Sequence, residues 1–165
     1  MNDETQVLRR FLDGQRDHVL GILEGLSEEE LLRPVLPSGW SCLGLVKHLA
    51  LGDEHYWFRC IVAGEPFDFF PGWDDDRGDS DWLLEPDESA EAVFDLYRDE
   101  IERANAIIAV TPLDMAPRQR DERWGEWVVP DFRFIMLHMI EETACHAGHL
   151  DAVVELLNGR QWLVV

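Results

Sequence analysis

The chain has 165 residues, 46% of them apolar, which suffices for one domain with its own core and argues against wholesale disorder. Its charge is lopsided, with 34 acidic against 14 basic side chains and a formal net charge of −20. A surface that acidic repels phosphate backbones and anionic lipid head groups, so nucleic acid and membrane surfaces are poor partners. The opening MNDETQVLRRFLDG lacks the apolar run of a signal peptide, and no stretch approaches the roughly 18 apolar residues that span a bilayer. Cys42, Cys60 and Cys145 show no framework spacing, so reduced thiols in a cytoplasmic protein are expected.

Helical periodicity dominates the chain. From about Thr5 to Leu26, residues Val7, Leu8, Phe11, Leu12, Val19, Ile22, Leu23 and Leu26 form one apolar face. His18 falls off that stripe and is expected at the surface. Ser27 and Glu30 then read as a capping box for a short helical turn. After RPVLPSGW breaks the pattern, Ser41 is read as the N-cap of a second helix running to about Ala63, with Gly64 as its stop.

A third helix fits 87–109, striped by Val93, Leu96, Tyr97, Ile101, Ala104 and Ile108. A fourth begins at Asp131 and ends at Asn158-Gly159, about 40 Å at 1.5 Å per residue. The stretch RWGEWVV at 123–129 reads as a strand or as a loop bearing aromatics. The fold expected is all-α, a four-helix bundle in one domain over 1–165, with residues 64–86 as a long crossover. That acidic loop, rich in Phe and Trp, is expected to cap a bundle end, wall a substrate pocket or form a dimer contact.

The fourth helix carries the chemistry. In IEETACHAGHLD and the residues just before it, His138, Glu142, His146 and His149 stack along one face, where a core would need leucine. His48 and His55, seven residues apart, share a face of the second helix. Imidazoles and carboxylates projecting inward from facing helices are how bundles build metal sites. Glu142 and His146 could share one ion, and a histidine from the second helix would complete three ligands with a fourth position open, as in catalytic zinc. Read as single residues, each has a plainer role as a satisfied core histidine or a surface i, i+4 pair. Cys145 points about 100° away from His146 around the helix and is read as packing.

GLVKHLALGDEHYWFRCIVAGE, followed by FIMLHMIEETACHAGHLDAVVELLNG, resembles the DinB/YfiT-like superfamily of small metal-binding bundles over nearly the whole chain. The similarity includes the N-terminal domain of mycothiol-dependent maleylpyruvate isomerases, whose further C-terminal domain has no counterpart in these residues. The wider superfamily uses one histidine of helix two and an H-x-x-x-H pair of helix four. Here Glu142 stands at the first position of that pair, as in the isomerases' His, Glu, His zinc set. The resemblance thus implies His48, Glu142 and His146 as metal ligands, and leaves His149 and His138 as spare imidazoles for proton transfer or substrate contact.

A divalent metal follows from the resemblance, zinc foremost, although such donors also accept nickel, iron or manganese. The activity expected is that of a metal-dependent thiol S-transferase, joining a mycothiol-like thiol to a small-molecule electrophile, in a homodimer. A metal-dependent hydrolase, with His138, His149 or Asp151 as base, and a non-catalytic metal-binding stress protein are the other readings. The aromatic 64–86 loop, with Trp124 and Trp127, is expected to wall the substrate space.

Overall fold

A computed structural model describes residues 3–67 and 81–162. Four long helical rods account for most of them, and no strand occurs among the described residues. The first, α1 (Asp3–Leu23), buries Thr5, Leu12, Arg16, Val19, Ile22 and Leu23. The expected stripe is corrected at its start, because Val7 and Phe11 are exposed. Arg16 sits one turn after Leu12 and one turn before Val19, so the inward face runs through a charged residue and leaves Val7 and Phe11 to the side. The short α2 (Glu28–Leu32) begins with the expected capping box, in which the Ser27 hydroxyl accepts from Glu30 N and the Glu30 carboxylate accepts from Ser27 N.

The second rod starts as α3 (Cys42–His48), capped by Ser41 Oγ, which accepts from Gly44 N at 3.1 Å. It continues without a break as a π-helical segment, Leu49–Val62, and stops at Gly64 with φ of 78°. The third rod, α4 (Ala90–Val110), starts later than the stripe suggested because Ser89 supplies the cap. The fourth, α5 (Phe132–Asn158), is capped by Asp131 and ended by left-handed Gly159. Between α4 and α5, the stretch 123–129 holds no strand, only the end of a 3-10 turn, Glu122–Trp124.

Ion pairs reveal the directions of the rods. Glu4 meets Arg133 and His18 meets Asp151, so α1 runs parallel to α5. Lys47 meets Glu88 and Arg59 meets Glu100, so the second rod runs parallel to α4. Ring contacts of His48 with His146 and Trp57 with His138 set the second rod antiparallel to α5. Two consecutive rods that run parallel need a connection as long as the bundle, which is the physical reason for the crossover at 64–86. Its middle, 68–80, lies outside the described residues. No helix is long and apolar enough to cross a membrane among the described residues.

The apolar core comes in two clusters, one around Val19, Leu45, Tyr97 and Leu150, the other around Leu12, Phe58, Ile108 and Ile135. Between them lies a buried polar layer to which every rod contributes: Arg16 from α1, Asp53, Glu54 and His55 from the π-helical segment, Glu100 from α4, and Thr143 from α5. A layer of charges across the middle of a bundle is costly unless each charge finds a partner.

Candidate metal centre

The site lies where the polar layer meets α5. One donor atom each of His48, Asp53 and His146 lies within 4.8 Å of the other two. His48 and Asp53 are five residues apart, which on an α-helix would point them about 140° away from each other. Beyond His48 the backbone winds with i→i+5 bonds, as in Ala63 N to Phe58 O at 3.0 Å. Five residues then make close to one turn, and Asp53 comes round to the side of His48. Such π winding is rare and concentrates at functional sites.

The chain returning from the crossover holds His48 from behind. Its Nδ1 is 2.5 Å from Asp81 Oδ2, which leaves Nε2 as the ring nitrogen available to a ligand. A Cβ on Gly52 would stand 2.6 Å from that Asp81 oxygen and 2.8 Å from His48 Nδ1, so only glycine leaves room for the pair. The Trp82 ring stacks on His48 with centroids 4.2 Å apart.

On α5, Glu142 Oε2 lies 3.8 Å from His146 Nε2, and Glu142 Oε1 lies 4.0 Å from His138 Nδ1. Two buried atoms here, Asp53 Oδ2 and His146 Nδ1, have no hydrogen-bond partner among the described residues. Burial pushes the Asp53 carboxyl up to about 7; the His48 charge pulls it back and Glu142 adds to the rise. Burial, and then the charges of His48 and His149, bring His146 down to about 4. Burial lowers His48 as well, but the Asp81 hydrogen bond and the charges of Asp53, Asp81 and Glu142 outweigh it and raise the ring overall. Near neutral pH the cluster therefore combines a buried carboxyl that gives up its proton reluctantly with a neutral His146 imidazole. Both atoms without partners are donors that a divalent cation takes, so the residues fit a metal.

A family model for mycothiol S-transferases matches residues 7–159. The chain belongs to the mycothiol S-transferase family. No curated protein matches it.

In this mycothiol S-transferase family member, the histidines singled out in the sequence fall into three environments. His48 and His146 meet, with ring centroids 5.1 Å apart. His138 and His149 flank them along α5. His138 packs edge-on to Trp57 at 4.5 Å and lies by Phe134, and Trp124 and Trp127 pack in turn on Trp57. Burial lowers its pKa against the pull of Glu142. His149 is exposed, 5.6 Å from His146 and 6.3 Å from Trp40 between ring centroids.

His55 and His18 lie elsewhere. His55 faces Glu100 at 3.3 Å instead of sharing a face with His48, because seven residues fall short of two turns once the helix widens. His18 is not a surface residue: Asp151 lies 2.8 Å from its Nε2, and the Trp162 ring stacks on it. That contact occupies Asp151, named above as a base. Cys145 is not packed either; it is exposed, its Sγ 4.0 Å from His149 Nε2.

Asp53 and Asp81 are the two site carboxylates that the sequence reading overlooks. The α-helical period places Asp53 off the histidine face, and Asp81 arrives from the crossover. The one available signal was the charged pair Asp53-Glu54 inside an otherwise apolar helix.

Proposed function

We propose that the protein is a metal-dependent S-transferase that joins a low-molecular-weight thiol of the mycothiol type to a small electrophile. What carries the reading is the pairing of a mycothiol S-transferase family match with an inward cluster of two imidazoles and a buried carboxylate, one of whose oxygens has no hydrogen-bond partner among the described residues. His48, His146 and Asp53 would hold a divalent ion, zinc foremost. Glu142, the more exposed carboxylate, would complete the set on the open side. Asp81 would keep the His48 ring in the orientation that presents Nε2.

When bound, the metal supplies a site that favours thiolate over thiol, whose usual pKa is about 8.5. The remaining steps fall to the protein. His149, exposed beside His146, accepts the thiol proton and passes it to solvent, a task suited to an imidazole at neutral pH. His138 orients Glu142 from the opposite flank. With a halide electrophile, the sulfur lone pair forms the S–C bond while the carbon–halogen bond breaks and the halide leaves with its electrons. No oxidant or reductant is needed.

The test is elemental analysis of purified protein, with variants, followed by assays of mycothiol against a halide electrophile. His48→Ala and His146→Ala should each lose at least about 100-fold in metal affinity, more than a second-shell change costs. His18→Ala should keep its metal. Equal metal loss from all three variants would refute the ligand set, and bound metal without turnover would return the protein to the binding class.

A further inference from the structure

Away from the donor atoms, but touching them through shared rings, a groove of about 440 Å³ opens between the α2–α3 connection and the chain returning from the crossover. Leu32, Pro34 and Trp40 form one wall; Trp82, Leu83 and Leu84 form the other. Its volume is within the range of small-molecule sites. Both walls are anchored. The Trp82 carbonyl lies so near α3 that a Cβ on Gly44 would meet it at 2.5 Å. The Leu83 carbonyl accepts from Lys47 Nζ at 2.8 Å, and Glu88 holds the same ammonium at 2.6 Å.

The groove is continuous with the metal centre. Trp82 belongs to both, with one face on His48, and Trp40 stands 6.3 Å from Trp82 and 6.3 Å from His149 between ring centroids. A molecule lying in the groove against the two indoles is therefore one ring away from His149 and His146. Among the described residues no charged side chain lines the groove, although the chain carries a net charge of −20. Indole faces and leucines repel nothing that is neutral and apolar, whereas the surrounding negative field disfavours anions. The other tryptophan group packs on itself, Trp57 stacked on Trp124 and Trp127 edge-on to both.

We propose that this groove seats the electrophile, and that the electrophile is an uncharged aromatic or aliphatic molecule held against Trp40 and Trp82. The proposal rests on the S-transferase reading for the word electrophile, but the binding itself can be read without any turnover. The probe is 1,3-dinitrobenzene, an aromatic lacking a leaving group, titrated into the zinc-loaded full chain. Indole N–H resonances report on all seven tryptophans at once.

The resonances of Trp40 and Trp82, assigned by Trp→Phe variants, should shift saturably. Leu32 and Leu83 are 42% and 55% exposed at the rim, so Leu32→Glu/Leu83→Glu should fold normally yet abolish the shift; Val110→Glu, far away on α4, should not. With 1-chloro-2,4-dinitrobenzene and mycothiol, the same double variant should raise KM about tenfold at little cost to kcat, the signature of lost uniform binding. Shifts confined to Trp57, Trp124 and Trp127, no shift at all, or a shift that survives the rim variants would each overturn the groove assignment. Binding at Trp40 and Trp82 without turnover of the chloride would sustain the groove and remove the S-transferase reading instead.

Discussion

Two neighbouring carboxylates of one π-helical segment have opposite surroundings. Glu54 is 1% exposed and meets Arg16, itself 2% exposed, through two bonds of 2.7 and 2.6 Å, while Asp13 and Asn105 take the remaining guanidinium edge. Asp53, one residue earlier and also buried, has among the described residues no cationic side chain but His48, and one of its oxygens has no hydrogen-bond partner there. His55 and Arg59, further along the segment, both reach Glu100. On the Glu54 side each buried carboxylate faces an arginine, whereas Asp53, Asp81 and Glu142 share the single His48 ring. A buried charge by itself is therefore no mark of a site. A buried charge left without its counterpart is one.

The sharpest way to break the comparison is to orphan the paired side. Glu54→Ala strips the buried Arg16 of two of its bonds, leaves it only the half-exposed Asp13 as ion partner, and should cost about 3–5 kcal/mol in urea denaturation. A loss under about 1 kcal/mol, the range of exposed ion pairs, would mean that water reaches Arg16 and that the two halves differ less than described. Next in size, Asp81→Asn should weaken metal binding about 10–100-fold while the fold persists, because it frees the His48 ring to turn. Competition with a chelator measures this, and unchanged affinity would remove Asp81 from the site.

Asp53→Asn should act in the opposite sense to Glu54→Ala. In metal-free protein, removing an uncompensated buried carboxylate should raise stability by about 1 kcal/mol, as happens when strained functional groups are replaced, and metal uptake should fall. A metal-free variant less stable than its parent would show that Asp53 is part of the framework after all.

The smallest effect concerns Asp121. Burial works against its charge, but the bonds from Arg123 and Tyr56 outweigh that and lower its pKa to about 2. A folded pKa below the unfolded value near 3.9 contributes stability above that value and loses it as pH falls toward 2. The Tm difference between the wild type and Asp121→Asn should thus be constant above pH about 4 and shrink below it. A difference that persists at pH 2 would assign the effect to shape rather than charge.

What the sequence alone determined was whatever depends on neighbours in the chain. Caps at Ser27, Ser41 and Asp131, stops at Gly64 and Gly159, the apolar stripes and the stacking of His138, Glu142 and His146 are all local, since residues three or four apart on an α-helix must share a face. The family resemblance added His48 from a distant helix. Tertiary structure decided the rest. The π winding brought Asp53 round to the histidines and turned His55 away, and no α-helical period contains that switch. The crossover delivered Asp81 and Trp82 against His48, in the space left by Gly52. Most of all, Asp53 and Glu54 are adjacent acids in the sequence. Which of them meets Arg16 and which faces the histidines depends on the helix each one faces, and packing alone decides that.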